Sequence, residues 1–148
     1  MCIRDSSKHN IGIAVDTTIG LVVPNIKNVQ TLCIRAIAKE VQRLQRISVK
    51  GELSLQDTSS GTFTISNIGA IAGTVVKPLI LPPQVAIVGI VLTQALPRFD
   101  VDDELRKRLL VNVSWAADHR IIDGATVGRF SNLVKQYLEN PTYMTLDL

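Results

Sequence analysis

The alternation of apolar and polar residues divides the chain into segments with the two-residue period of strands and segments with the period of helices. Short apolar runs at Ile11–Val15 and Leu21–Val23 predict two strands on either side of a turn. Thr62–Asn67 alternates apolar with hydroxyl-bearing residues, which predicts a half-buried strand with a row of hydroxyls. Val85–Leu92 is apolar on both faces and predicts a strand buried within a sheet. Leu109–Trp115 alternates again and predicts a further strand.

Two segments have helix periodicity. The first begins near Thr31, and Gly51 is a typical residue to end it. Its apolar residues recur at three- and four-residue spacing: Ile34, Ile37, Val41 and Leu44. Its cations form a stripe on another face: Arg35, Lys39, Arg43, Arg46 and Lys50. Such a stripe is usually a solvated helix surface, and a phosphate- or partner-binding role is the less favoured alternative. The second helix is predicted over Gly124–Glu139, so the fold class is mixed α/β.

Composition narrows the class of protein. The 148 residues suit one domain, and 46% of them are hydrophobic with a mean hydropathy of +0.24. That value is high enough that we expect some apolar surface to face another subunit. A net charge of +3, with three Phe, two Tyr and one Trp, argues against a nucleic-acid-binding protein.

Membrane and metal chemistry are not expected either. The longest apolar run, Val85–Leu92, is far shorter than the roughly 20 residues of a membrane-spanning helix. Cys2 and Cys33 have neither disulfide nor metal-type spacing, which favours an intracellular protein without a metal site.

The candidate chemistry centres on His119, one of two histidines with His9. His119 lies between a predicted strand and the last predicted helix, where a loop can present a polar group from a rigid scaffold. Asp123 precedes that helix and is a candidate for its N-cap, and Arg120 could pair with Asp123 or with another carboxylate. The hydroxyl row ends at Ser66, which offers an oxyanion donor if the fold brings it near. A base and a hydroxyl donor are the groups that acyl transfer between thiols requires.

At these residues the chain resembles a known family. The run at 114–125, SWAADHRIIDGA, is similar to the active-site motif of the 2-oxoacid dehydrogenase acyltransferases. Four further motifs carry the resemblance: His9–Ala14, Gly20–Pro24, Thr62–Gly69 and Pro97–Phe99. It covers Lys8–Leu148 and is strongest toward the branched-chain member of the family.

The resemblance implies a fold like that of chloramphenicol acetyltransferase, a mixed sheet with flanking helices. It implies acyl transfer between dihydrolipoamide and coenzyme A, with His119 as the base, Ser66 as the oxyanion donor and Asp123 supporting the histidine loop through charge pairing. The implied contacts to coenzyme A are Asp16, Gln45, Ser66 and Asn67. The alternative within the same family is a non-catalytic scaffold subunit, although such relatives tend to lose the histidine.

The resemblance also implies an assembly. Homotrimers with active sites between subunits would build a larger cubic or icosahedral core, in the cytoplasm of a bacterium or the mitochondrial matrix of a eukaryote. Decarboxylase and dihydrolipoamide dehydrogenase components, and the lipoyl group, would be reached through domains absent from this chain. Residues 8–148 would then be the C-terminal part of the catalytic domain, and residues 1–7, which do not resemble the family, are expected to be non-native or disordered.

Three positions depart from the family pattern. Ala70 stands where relatives often have Ser, which would remove one hydrogen bond to coenzyme A. Ala72 and Val91 stand where Gly is usual, and side chains there are expected to narrow the approach to the backbone.

Overall fold

The structure is a computed structural model that describes residues 8–71 and 73–146. The expectations for residues 1–7 and for Ala72 lie outside the described residues. The chain divides after Ala116 into two compact units. The first contains nearly all of the strands, and the second contains the His119 loop and the C-terminal helices.

The secondary structure alternates between strands and helices as the mixed α/β prediction requires. The strands are β1 Ile11–Ile13, β2 Val15–Thr17, β3 Gly20–Val22, β4 Asn25–Ile26, β5 Phe63–Asn67, β6 Ala86–Ile90, β7 Gln94–Phe99, β8 Leu105–Leu110 and β9 Val113–Ala117. The helices are α1 Ile34–Lys50, α2 Leu55–Thr58, α3 Gly124–Glu139 and α4 Tyr143–Leu146, with a 3₁₀ turn at Val29–Thr31.

A five-stranded mixed sheet in the order β4-β1-β5-β6-β9 forms the centre of the first unit. β5 runs parallel to both β1 and β6, whereas β4 is antiparallel to β1. The residues from Val85 to Val88 are all buried, so the prediction of a strand buried on both faces is confirmed for β6.

The first predicted strand is divided in two. The Ala14 amide still donates to the Ile65 carbonyl at 3.0 Å, but the chain then leaves the sheet and forms the β2–β3 hairpin. The prediction of one strand over Ile11–Val15 was therefore wrong, and Asp16 lies in a strand instead of a turn. Gly20 takes a φ of 113°, and its carbonyl accepts the Thr17 hydroxyl at 2.7 Å, which closes this hairpin.

The strand predicted over Leu109–Trp115 is also wrong. β8 ends at Leu110 and pairs with β7 in a separate hairpin, and β9 starts at Val113. Between them the Asn112 side-chain amide donates to the Thr74 carbonyl at 2.7 Å and fixes the change of direction. β7 was not predicted, because its residues alternate weakly and include a proline.

β5 is half-buried, as the sequence predicts, but one residue of its hydroxyl face, Thr64, is fully buried. Thr64 has no exposed surface, and its hydroxyl donates to Gln84 Oε1 at 2.7 Å. Opposite it on β1, a Cβ added to Gly12 would lie 3.0 Å from Thr64 Oγ1 and 2.9 Å from a methyl carbon of Val23. Because no space remains on either side, the pairing of β1 and β5 admits a single register.

α1 and its end agree with the sequence prediction. The helix packs through the buried Leu44 and Ser48, and Gly51 ends it in the left-handed region with a φ of 72°. One member of the basic stripe is not a solvated cation, since Arg43 forms ion pairs with Glu40 at 2.6 Å and with Asp57 at 2.7 Å.

Asp57 joins α1 to α2. It completes a capping box with Ser54 at the start of α2 while it accepts the Arg43 guanidinium, and its side chain is 13% exposed. The Arg43 hydrogen bond, followed by that from Ser54, lowers the pKa of Asp57 to about 2. A carboxyl whose pKa is lowered by folding stabilises the folded state at neutral pH and loses that contribution as the pH falls below its unfolded value, here 3.8, toward 2.

In the second unit, α3 has the bounds that the sequence predicts, Gly124–Glu139, and the unpredicted α4 follows. None of the helices within residues 8–71 and 73–146 is long and apolar enough to cross a membrane.

We expect Asp57→Ala to destabilise the fold by about 2 kcal/mol at neutral pH, because it removes a helix cap and a charge-assisted hydrogen bond together. Urea unfolding at pH 7 and at pH 2.5 measures this difference, which should shrink at the lower pH. The matched control is Glu52→Ala, an exposed acid between the same two helices, which should cost less than about 0.5 kcal/mol. Equal losses in the two variants would contradict the assignment.

Candidate active site

His119 lies at the outside of a tight turn between β9 and α3. The amides of Ile121 and Ile122 both donate to the Asp118 carbonyl at 2.9 Å, which folds the chain back immediately after the strand. The His119 side chain is exposed and makes no hydrogen bond or ion pair with any described residue. Its ring nitrogens are therefore available to a ligand.

An ion pair between the two neighbours of His119 holds this turn. The Arg120 guanidinium donates through Nε to Asp118 Oδ1 at 2.9 Å and through its second nitrogen to Oδ2 at 2.6 Å. The Arg120 backbone amide donates to Oδ1 as well, at 3.1 Å. The Arg120 side chain, followed by its amide, lowers the pKa of Asp118 to about 2, so the pair is intact across the physiological pH range.

Asp123 is the N-cap of α3, as one of the two sequence interpretations has it. One carboxylate oxygen accepts the Thr126 amide at 2.7 Å, and the other accepts the Thr126 hydroxyl at 2.9 Å. These bonds lower the pKa of Asp123. Of the two carboxylates that the sequence allows for Arg120, the structure has the other one, since Arg120 pairs with Asp118 instead of Asp123.

Ser66 and Asn67 lie together at the end of β5. Ser66 is half-buried opposite Gly89, and Asn67 is exposed opposite Ile90. Asn67 Oδ1 accepts the Gly69 amide at 2.9 Å, which turns the chain out of the sheet. The side-chain amide nitrogen of Asn67 makes no hydrogen bond to a described residue, so it can donate to a ligand.

Gly69 makes this turn possible because it lies against the backbone of the next strand. A Cβ added to Gly69 would lie 2.8 Å from the Val91 carbonyl oxygen, closer than side chains approach a backbone. Val91 itself is buried, so its side chain is part of the core next to this turn.

The other two predicted contacts lie elsewhere in the first unit. Asp16 is exposed on β2 opposite Leu21, and Gln45 is exposed on α1, a helix that contacts β2. The four predicted contacts to coenzyme A are thus in the first unit, whereas His119 and Asp123 are in the second.

The first unit also contains a polar cavity of about 370 Å³, and none of the predicted site residues lines it. It is lined by Asn25, Lys27, Glu40, Arg43, Ser54, Gln56 and Asp57. Its strongest charges neutralise one another, since Arg43 binds both carboxylates, so we do not regard it as the active site. Within residues 8–71 and 73–146, no group of three or more His, Cys, Asp or Glu side chains could hold a metal ion.

Sequence comparison connects these residues to a family. The family model described as 2-oxoacid dehydrogenases acyltransferase (catalytic domain) matches residues 2–146. The chain belongs to this family. Its catalytic domain has the mixed α/β fold that the sequence predicts.

Similar proteins include two mammalian lipoamide acyltransferase components of the mitochondrial branched-chain alpha-keto acid dehydrogenase complex. The Mus musculus protein is 57% and the Bos taurus protein 60% identical over 142 residues, which is 96% of this chain. The chain spans 30% of the length of these relatives.

Two solved structures have the same fold. The Azotobacter vinelandii dihydrolipoamide acetyltransferase is 33% identical to this chain, with a TM-score of 0.89. The match covers 95% of this chain and 57% of the Azotobacter chain. The cubic core of a pyruvate dehydrogenase multienzyme complex is 32% identical with a TM-score of 0.89 and covers the same shares.

The glycine at the end of β5 can be tested by a pair of substitutions. We expect Gly69→Ala to destabilise the fold by about 1–3 kcal/mol because its Cβ meets a backbone oxygen. Gly128→Ala should instead stabilise it by about 0.5–1 kcal/mol, since Gly128 lies within α3 with open space around it. Denaturant unfolding measures both, and a stabilising Gly69→Ala would contradict the close contact.

The cap of α3 gives a second test. Asp123→Ala should lower the thermal midpoint, because the Thr126 amide loses its acceptor, whereas Asp123→Asn should retain it because asparagine also caps helices well. Circular dichroism melting curves compare the two variants. An equal decrease in both would show that the charge of Asp123, not its cap, stabilises the loop.

Proposed function

We propose that this chain transfers an acyl group between the thiol of dihydrolipoamide and the thiol of coenzyme A, in the core of a 2-oxoacid dehydrogenase complex of the branched-chain type. The observation that carries the proposal is His119, an exposed imidazole that makes no hydrogen bond to any described residue. It lies on a turn fixed by an ion pair, in a member of this family. The high identity to branched-chain lipoamide acyltransferases supports the subtype.

His119 serves as the general base. A free thiol titrates near 8.5, so only a few per cent of it is the reactive thiolate at neutral pH. His119 takes the proton as the sulfur attacks the carbonyl carbon of the thioester. When the tetrahedral intermediate collapses, the departing sulfur takes that proton from His119, and the histidine is ready for another cycle.

Ser66 stabilises the oxyanion of the intermediate through its hydroxyl. Support comes from the Azotobacter enzyme, for which a serine, a histidine and an asparagine have been investigated in the catalytic mechanism. In that enzyme the histidine and the asparagine are four positions apart, which is also the spacing of His119 and Asp123. Its serine precedes its histidine by roughly fifty positions, and Ser66 precedes His119 by a similar number.

Asp123 takes the place of that asparagine. Asparagine and aspartate both have a side-chain oxygen that can cap a helix, but only aspartate can be ionised. The shared property is therefore the cap, and Asp123 supports His119 by fixing where α3 begins, without taking a proton.

Coenzyme A contacts Asp16, Gln45, Ser66 and Asn67, and three of these four side chains are exposed. The chain forms homotrimers in which Ser66 of one subunit and His119 of another share a site, and the trimers build a cubic or similar core. The lipoyl group, and the decarboxylase and dihydrolipoamide dehydrogenase components, reach it through other domains of the full protein. In a eukaryote this complex would lie in the mitochondrial matrix, and in a bacterium in the cytoplasm.

Substitution of the histidine tests the mechanism. His119→Ala in the full-length protein should lower kcat for acyl transfer from acyl-CoA to dihydrolipoamide by about 10²–10⁴-fold. The matched control is His9→Ala, since His9 is the other histidine and is also exposed. Unchanged turnover in His119→Ala would refute the mechanism, and an assembled wild type without turnover would favour a scaffold subunit.

A further inference from the structure

Three arginines share one face of the β7–β8 hairpin. In the antiparallel ladder Arg98 is directly opposite Arg106, and Arg108 is opposite Leu96. Because alternate residues of a strand face the same side, Arg98, Arg106 and Arg108 lie on one face, whereas Lys107 lies on the other. Residues directly opposite on two strands have Cβ atoms about 5 Å apart, and like charges at such positions destabilise a hairpin.

One neighbouring acid, Asp100, neutralises only part of this cluster. Asp100 accepts Arg106 Nε at 3.1 Å, but its carboxylate also accepts the backbone amides of Asp102 and Glu104, both at 3.0 Å, and so belongs to the turn. Arg98 donates only to the carbonyl of its neighbour Pro97, at 2.9 Å. The Arg108 side chain makes no hydrogen bond to any described residue, although its charge interacts with that of Asp100.

The density of charge distinguishes this face from the other cationic surface. On α1 the exposed cations follow one another about one helical turn apart, the ordinary spacing of a solvated helix. On the hairpin two arginines occupy directly opposite positions, and the third lies two residues along β8 from Arg106 and diagonal to Arg98. Guanidinium forks placed together in this way match phosphate, which accepts two parallel N–H bonds from each arginine.

The proposed substrate supplies such groups. Coenzyme A carries its phosphates at the end of the pantetheine arm opposite its thiol. None of the proposed contacts Asp16, Gln45, Ser66 and Asn67 is a cation, and Asp16 is an acid, so the phosphates must be neutralised by other residues. We propose, on the basis of the function given above, that Arg98, Arg106 and Arg108 bind the phosphate groups of coenzyme A.

The position of the hairpin agrees with this role. β7 starts four residues after Ile90, the register partner of Asn67, so the hairpin begins near the end of the sheet that carries Ser66. Arg98 is four residues beyond Gln94, about 13 Å further along the strand. With the thiol of coenzyme A near Ser66 and its phosphates on the hairpin, the pantetheine arm would span the distance between the two.

The test uses the full-length protein with the double variant Arg98→Gln/Arg108→Gln, which leaves the Arg106–Asp100 pair in place. With isobutyryl-CoA as donor we expect kcat/KM to fall by about tenfold or more, the loss typical of a charge-assisted contact. With S-isobutyryl-pantetheine, which has the thioester but no phosphates, kcat/KM should be unchanged. Lys107→Gln is the control: it lies on the same strand but on the opposite face, and it should change neither value by more than about twofold.

Three results would overturn the proposal. An unchanged kcat/KM for isobutyryl-CoA would show that coenzyme A does not bind these arginines. If inorganic pyrophosphate still bound to the protein through these arginines, the face would be assigned to a different phosphate-containing ligand. Equal losses with both donors would indicate damage to the fold. Equal losses in Lys107→Gln would indicate non-specific attraction. Wild-type protein inactive with both donors would refute the proposed function itself, which separates that failure from these.

Discussion

The position of β5 between two parallel neighbours is the constraint on which the first unit depends. Its pairing with β1 and β6 is set where Thr64 is fully buried and bonded to Gln84, with no room for a side chain at Gly12. A buried hydroxyl without a partner would cost several kcal/mol, so Gln84 has to remain beside it. Everything at the end of the strand, including Ser66 and the turn at Asn67, is placed by this packing.

Much of the fold follows from periodicity, and the failures have identifiable causes. α3, the end of α1 at Gly51 and the buried β6 are predicted correctly, because each combines a long or continuous apolar pattern with a clear end signal. The β7–β8 hairpin is not predicted, since its strand residues are mostly charged or exposed and an apolar period is missing. Thr64 shows the opposite failure: a hydroxyl pattern indicates solvent, yet a single hydrogen bond allows the side chain to be buried.

The sequence predicts which residues form the candidate site better than it predicts which groups they form ion pairs with. His119 and Asp123 can be identified from the motif, and both lie on the turn where sequence places them. Which acid Arg120 binds depends on the backbone of that turn, which brings residues two positions apart into contact. Likewise, Arg43 looks like one member of a solvated stripe until α2 is folded and Asp57 reaches it. In each case the chain supplies opposite charges, and the folded structure selects the pair, through a local turn for Arg120 and through tertiary packing for Arg43.

The lack of space at Gly12 has a consequence for how the protein tolerates change. A slip of one residue between β1 and β5 would turn every side chain of β5 to the opposite face, so the direction of the Ser66 hydroxyl is encoded in part by a glycine more than fifty positions earlier. Loops before and after β5 can lengthen at modest entropic cost without moving that hydroxyl. Sequence variation is therefore expected to collect in the connections, while insertions within the paired strands should be removed by selection even at positions that do not themselves contact a substrate.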